Sequence, residues 1–283
     1  MQKTIKHSIQ AEGIGLHSGQ IVRVKAFPSS VGTGIVFKRT DCEPPVLIPL
    51  KVDSIEEALL CTRLSSNGKH VSTIEHLLSA LCALEIDNIL FELDSDEVPI
   101  MDGSASPFIF WLQSAGIIDQ EEPRRFLKIK KNIRVQDGDK FAELSPSNKG
   151  LDLHYSIDFP HPVISRTSQS IEFSFHPMTY IKEISRARTF GFAKDLEKLQ
   201  ANHLARGASL DNAVGIGDDC VLNPTGLRYH DEFVKHKLLD AIGDLYVAGP
   251  ILGKFVGHKT SHTLNNKLLR ELFKDDSQYE WVS

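Results

Sequence analysis

Three histidines and three carboxylates carry the sequence features most able to do chemistry. Between Asp231 and Ala248 most positions are apolar, yet His236, Asp240 and Asp244 recur at i, i+4 and i+8. Residues four apart on a helix share one face, so this spacing predicts a polar stripe on a largely apolar helix. Burying such groups unpaired is costly. A divalent cation would satisfy them, since His-x-x-x-Asp offers two adjacent donors. A solvent-facing stripe with a His–Asp hydrogen bond explains the same spacing, and spacing alone favours it. Upstream, Ser72-Thr-Ile-Glu75-His76 fits the capping box S-x-x-E, in which Glu75 reaches back to the helix start. The same placement sets a histidine and a carboxylate side by side in a first helical turn, where they suit a metal and its bound water. His262 stands in a polar loop before a helix starting near Leu264, and Arg186-Ala-Arg-Thr189-Phe190-Gly-Phe192 combines arginines, a hydroxyl and aromatics suited to an anionic, partly apolar ligand. A solvated loop histidine and a strand-to-turn segment with surface arginines are the plainer readings of those two.

The elements that must position these residues alternate between strand and helix. Ile21 to Phe27 alternates apolar and polar residues like a half-buried strand, and Asn88 to Leu93 reads as another. Thr73 to Glu85 has helical apolar spacing, and Ser106-Pro107 opens a second helix that ends by Gly116. Asp119 to Arg125 is charged, contains a proline and is the best linker candidate. Strands resume at Phe126–Lys131, Ile133–Gln136 and Leu151–Phe159, and the last third is helical over Asp231–Ala248 and Leu264–Lys274. Each half mixes strands and helices, which predicts two α+β domains, 1–122 and 123–283.

Composition narrows the function. The 283 residues are 41% hydrophobic and 24% charged, with a net charge of −5, which disfavours a general nucleic-acid binder. Cys42, Cys61, Cys82 and Cys220 form no C-x-x-C pair and read as reduced thiols of a cytoplasmic protein. No apolar run is long enough to span a membrane, and the start of the chain lacks a signal-peptide core. Gly13-Ile-Gly15-Leu-His17-Ser-Gly19 is not G-x-G-x-x-G, because its last spacing is one residue too long, and no Walker A signature occurs. Nucleotide hydrolysis and Rossmann-type cofactor binding are therefore rejected.

Taken together, these segments resemble one family, the UDP-3-O-acyl-N-acetylglucosamine deacetylases (LpxC) of lipid A biosynthesis. The resemblance rests on Gly13–Gly19, Ser72–His76, Pro99-Ile-Met-Asp-Gly-Ser104, Ser185–Phe192, Asn223-Pro-Thr-Gly-Leu-Arg228, His236–Asp244 and Ser261-His-Thr-Leu-Asn-Asn266, in family order over nearly the whole chain. It implies two domains, each a β-sheet layered with a pair of α-helices and carrying a small insert, with the active site between them. It implies metal ligands His76, His236 and Asp240 for Zn(II), with Fe(II) as a possible physiological substitute. Glu75 is implied as general base and His262 as general acid, with Asp244 orienting that imidazole. Thr189 would face the oxyanion, and Lys237 the oxyanion or a phosphate. The substrate would be an amphipathic UDP-sugar met by His17, Lys140, Phe159, Phe190 and Lys259. A second insert near Phe192 to Val214 would form an acyl passage lined by Ala193, Leu196, Ala205, Ala208, Leu210 and Gly215. Arg63 occupies a place near the metal where a smaller residue is expected. A monomer is expected.

Two other readings compete. Two histidines and a carboxylate also make the facial triad of non-haem Fe(II) oxygenases, although a carboxylate base beside a ligand favours hydrolysis. A non-enzymatic binding or scaffold module accommodates each plain reading singly, but not the clustering of such residues in distant segments.

Overall fold

Alternation of buried and exposed side chains defines the first sheet. In Ile21–Pro28, Val22, Val24 and Ala26 face inward while Ile21, Arg23 and Lys25 face out. Ile89–Leu93 repeats that pattern and pairs antiparallel with Ile21–Pro28 and parallel with Ile35–Arg39. The five strands run in the order Ile9–Ile14, Ile21–Pro28, Ile89–Leu93, Ile35–Arg39, Val46–Pro49. The computed structural model describes all residues, 1–283.

The second sheet has seven strands. Ile251–His258 is central to it, pairing antiparallel with Lys140–Ser145 and parallel with Leu151–Ser156 and Phe126–Ile129. Ile133–Asp137, Ser170–Ser174 and Tyr279–Val282 complete it. A three-stranded sheet, Ile55–Glu56, Arg63–Ser66 and Lys69–Ser72, precedes the first helix. The pair Phe190–Phe192 and Val214–Ile216 is parallel and encloses a short helix. This pair spans the stretch near Phe192 to Val214.

The chain forms seven α-helices: α1 (Glu75–Leu84), α2 (Ser106–Ser114), α3 (Pro162–Ser165), α4 (Pro177–Glu183), α5 (Leu196–Ala201), α6 (Glu232–Leu245) and α7 (His262–Leu272). The fold is therefore α+β, as its sequence pattern implies. α1 packs beside α2 and against α6, α6 beside α7, and α7 on strands Ile133–Asp137 and Lys140–Ser145. One continuous apolar core runs through both halves. Each fully buried Leu, Ile or Phe adds about 1.5–3 kcal/mol, so α1, buried along its whole length, is held by packing rather than propensity.

Several boundaries differ from the sequence reading for local reasons. The capping box at Ser72 does not form. Thr73 has φ +58, which a right-handed helix excludes, so α1 starts at Glu75 without a side-chain cap. The Ser72 hydroxyl instead donates to the Asp96 carbonyl at 3.0 Å. α7 begins at His262 rather than Leu264, because Ser261 caps it by accepting the Leu264 N–H. The stretch Asp119–Arg125 is not slack: the buried Arg124 guanidinium binds Asp87 at 2.9 Å and Glu85 at 3.1 Å.

Candidate active site

The polar stripe on α6 is buried, not solvent-facing: His236 is 2% exposed, Asp240 4% and Asp244 0%. It faces α1, and a close helix crossing makes that possible. A Cβ on Gly243 would lie 2.0 Å from the Glu75 carbonyl oxygen, so only glycine lets the two backbones approach this closely. The approach brings His76 of α1 against the α6 stripe. One potential ligand atom from each of His76, His236 and Asp240 lies within 4.8 Å of the others.

The Nε2 atoms of His76 and His236 each stand 3.3 Å from Asp240 Oδ1. His236 Nδ1 donates to the Ala187 carbonyl at 3.0 Å, which fixes the tautomer and leaves the Nε2 lone pair facing the carboxylate. Burial drives the His236 imidazole down to about 3, so it is neutral. Burial opposes ionisation of Asp240, yet the Lys237 ammonium beside it holds its carboxyl well below the usual range. Lys237 Nζ donates to Asp240 Oδ2 at 2.6 Å, while the buried Oδ1 accepts no hydrogen bond. A carboxylate oxygen left without a hydrogen bond beside an imidazole lone pair is a donor set that fits a divalent cation, and three protein donors leave positions open for substrate.

Two further groups adjoin this triad. Burial pushes the Glu75 carboxyl up, and its Oε2 accepts the Thr62 N–H at 3.1 Å. His262 Nε2 lies 3.9 Å from Glu75 Oε1 and 3.9 Å from Asp240 Oδ2. On its other side, His262 Nδ1 is 3.0 Å from both Asp244 oxygens. Burial works against the imidazolium, but the Asp244 and Glu75 carboxylates raise His262 to about 9. Asp244 is itself held by Thr62 Oγ1 at 2.6 Å and Asn265 Nδ2 at 2.8 Å. A carboxylate able to take a proton and an imidazolium able to give one thus flank one donor triad.

The match to known proteins runs along the whole chain. The family model described as LpxC, UDP-3-O-acyl N-acetylglycosamine deacetylase, matches residues 2–274. Proteins named UDP-3-O-acyl-N-acetylglucosamine deacetylase from Shewanella oneidensis and Pseudoalteromonas atlantica are 53% and 54% identical over 284 aligned positions, covering 100% of this chain and 92% and 93% of theirs. The chain belongs to the LpxC family.

In this LpxC-family chain the triad opens into a cavity of about 530 Å³. Its wall brings together Glu75, His76, His236, Lys237, Asp240 and His262 with Thr189, Phe190 and His17. The passage candidates Ala193, Leu196, Ala205, Ala208, Leu210 and Gly215 all line it as well. Asp244 lies behind His262 rather than on the wall. Lys140 is exposed on its strand. Phe159 does not reach the cavity and packs edge-on against Phe190, ring centroids 5.8 Å apart. Lys259 is engaged outside it by Asp139 at 2.6 Å and Asp158 at 3.0 Å. Arg63 also stays off the wall, its buried Nε making no hydrogen bond.

Sequence reasoning missed Thr62, which touches both Glu75 and Asp244, and the Ala187 carbonyl, which orients His236. Neither has a local signal: Thr62 precedes Asp244 by 182 residues. Asn265 was inside a recognised motif, and its place one turn from Ser261 on a capped helix was the available clue.

Proposed function

We propose that this chain hydrolyses the N-acetyl group of UDP-3-O-acyl-N-acetylglucosamine, releasing acetate and UDP-3-O-acyl-glucosamine in the committed step of lipid A biosynthesis. It does so as a cytoplasmic monomer of two units, 1–122 and 123–283, with Zn(II), or Fe(II) in its place, on His76, His236 and Asp240. The observation that carries the reading is the His76–His236–Asp240 donor set flanked by Glu75 and His262, whose proton-transfer atoms are 3.9 Å apart. Family membership and the names of the relatives support the substrate.

Bound to that set, the cation supplies Lewis acidity and eases deprotonation of water at the site. Glu75 takes the proton of the attacking water as its oxygen bonds to the acetyl carbon. The carbonyl oxygen becomes an oxyanion facing the Thr189 hydroxyl. When the C–N bond breaks, its electron pair goes to the sugar nitrogen, which takes a proton from His262 Nε2. Asp244 keeps that imidazole charged and aimed, and Lys237 steadies Asp240. His17, Phe190, Leu196, Ala205 and Leu210 hold the sugar and acyl chain. Lys140, Phe159 and Lys259, outside the cavity, are left to the UDP portion.

The facial-triad oxygenase has the same donors but no use for a base and an acid placed this way. Acetate release from UDP-3-O-acyl-N-acetylglucosamine, measured with metal content and oxygen consumption, tests the reading. One acetate per substrate without oxygen uptake supports it. Oxygen consumption without acetate overturns it.

A further inference from the structure

The Gly13–Gly19 loop fits no nucleotide motif, and its glycines answer to something else. A Cβ on Gly15 would lie 2.4 Å from Glu97 Oε2, and one on Gly19 would press on the Arg206 main chain at 3.2 Å. Gly19 also has φ +69, a left-handed conformation that glycine adopts freely. The loop is thus clamped between a buried side chain and the cavity wall.

That side chain, Glu97, is 2% exposed and has no basic partner within ion-pair distance. Its carboxylate is satisfied by three donors. Oε1 accepts the His17 N–H at 2.8 Å and the Thr73 hydroxyl at 3.0 Å, and Oε2 accepts the Ser18 N–H at 2.9 Å. Across the loop, the Ala205 N–H points at His17 Nδ1 at 3.3 Å, and Gly207 N donates to the Leu16 carbonyl at 3.0 Å. With Nδ1 accepting, the His17 proton sits on Nε2. That atom is buried, has no hydrogen-bond partner and belongs to a residue of the cavity wall. An unpaired buried N–H beside a cavity is costly unless a ligand satisfies it.

We infer that Glu97 is a positioning residue: its carboxylate fixes the Gly13–Gly19 loop so that His17 presents an Nε2–H donor to a polar oxygen of the substrate in the cavity. The inference rests on the substrate class proposed above. Glutamine at 97 keeps the volume but accepts at only one end. Its amide N–H₂ would face either Ser18 N–H or the His17 and Thr73 donors, so the loop must shift.

The experiment is a double-mutant cycle on full-length metal-loaded enzyme, reading kcat and KM for UDP-3-O-acyl-N-acetylglucosamine. His17→Ala is expected to raise KM about tenfold, the size of one hydrogen bond to substrate, with kcat moving much less. Glu97→Gln is expected to raise KM by a similar factor, and the double variant no further, because Glu97 acts through His17. Gly15→Ala, which crowds the intact carboxylate, should reproduce the KM effect and serves if Glu97→Gln does not fold. KM effects that multiply in the double variant, or a fall in kcat at unchanged KM in Glu97→Gln and Gly15→Ala, would overturn the inference and assign Glu97 to the Thr73 side. Wild-type acetate release separates this failure from failure of the substrate assignment.

Discussion

Gly243→Ala tests whether the site depends on α1 and α6 meeting backbone to backbone. The added Cβ would lie 2.0 Å from the Glu75 carbonyl oxygen, 2.7 Å from its carbon and 3.0 Å from its Cα. All three are main-chain atoms of a buried helix, so no rotamer change relieves the contact. Ordinary contact begins near 3.4 Å, so the closest pair must open by about 1.4 Å. Overpacking of this kind costs about 1–3 kcal/mol, and each kcal/mol lowers Tm by roughly 2–4 °C in a chain of about this size. The functional effect should be larger than the stability effect. His76 rides on α1 while His236 and Asp240 ride on α6, so parting the helices spreads the donor set. A misplacement of about 1 Å costs roughly 100-fold in rate. We therefore expect Gly243→Ala to fold with a Tm lower by roughly 2–12 °C, to bind Zn(II) more weakly in a competition titration, and to lose about 100-fold in kcat. A folded variant with wild-type Zn(II) affinity and kcat would refute the argument that this crossing sets the geometry of the site.

The remaining predictions follow from the groups around the triad. Glu75→Gln should lower kcat by about 10²–10⁴-fold, the usual worth of a general base, while metal per chain stays near the wild-type value; wild-type turnover would remove Glu75 from the mechanism. The pH profile of kcat/KM should fall on the alkaline side near pH 9, where His262, raised to about 9, loses its proton. Asp244→Asn removes the main group holding that proton, so the alkaline limb should move down toward the ordinary histidine value of 6.5, and an unmoved limb would take His262 out of the acid role. The same shift acts on stability. A folded-state value above the unfolded one means that the His262–Asp244 contact stabilises the fold fully below about pH 6.5 and that this contribution is lost as pH rises through about 9, which Tm against pH in wild type and Asp244→Asn would read. Chelation should abolish acetate release and Zn(II) should restore it in wild type, whereas His236→Ala should purify with little metal and gain no activity from added Zn(II).

What the sequence revealed about the site, and what it hid, follows the reach of each interaction. The α6 stripe was legible because His236, Asp240 and Asp244 obey a local period, though that period cannot say whether the face is buried. Its burial comes from α1, α7 and Thr62, and nothing in the spacing of these elements states that they touch. Local rules also misled. Ser72 and Glu75 have capping-box types, but Thr73 at φ +58 turns the chain before the helix begins, and the Glu97 carboxylate takes the Thr73 hydroxyl. The contacts that tune the chemistry join residues far apart in the chain: Thr62 to Asp244, Ala187 to His236, Glu97 to His17. The family resemblance implied a ligand set that spacing could not, yet it carries no sign of these supporting contacts. The α1–α6 crossing nonetheless leaves a local sign. Glycine inside a helix costs up to about 1 kcal/mol against alanine, and Gly243 stands in the last turn of α6. A residue that local propensity disfavours marks a demand from elsewhere in the fold, and here the demand is the Glu75 main chain, whose close approach brings His76 within 4.8 Å of the His236 and Asp240 donor atoms.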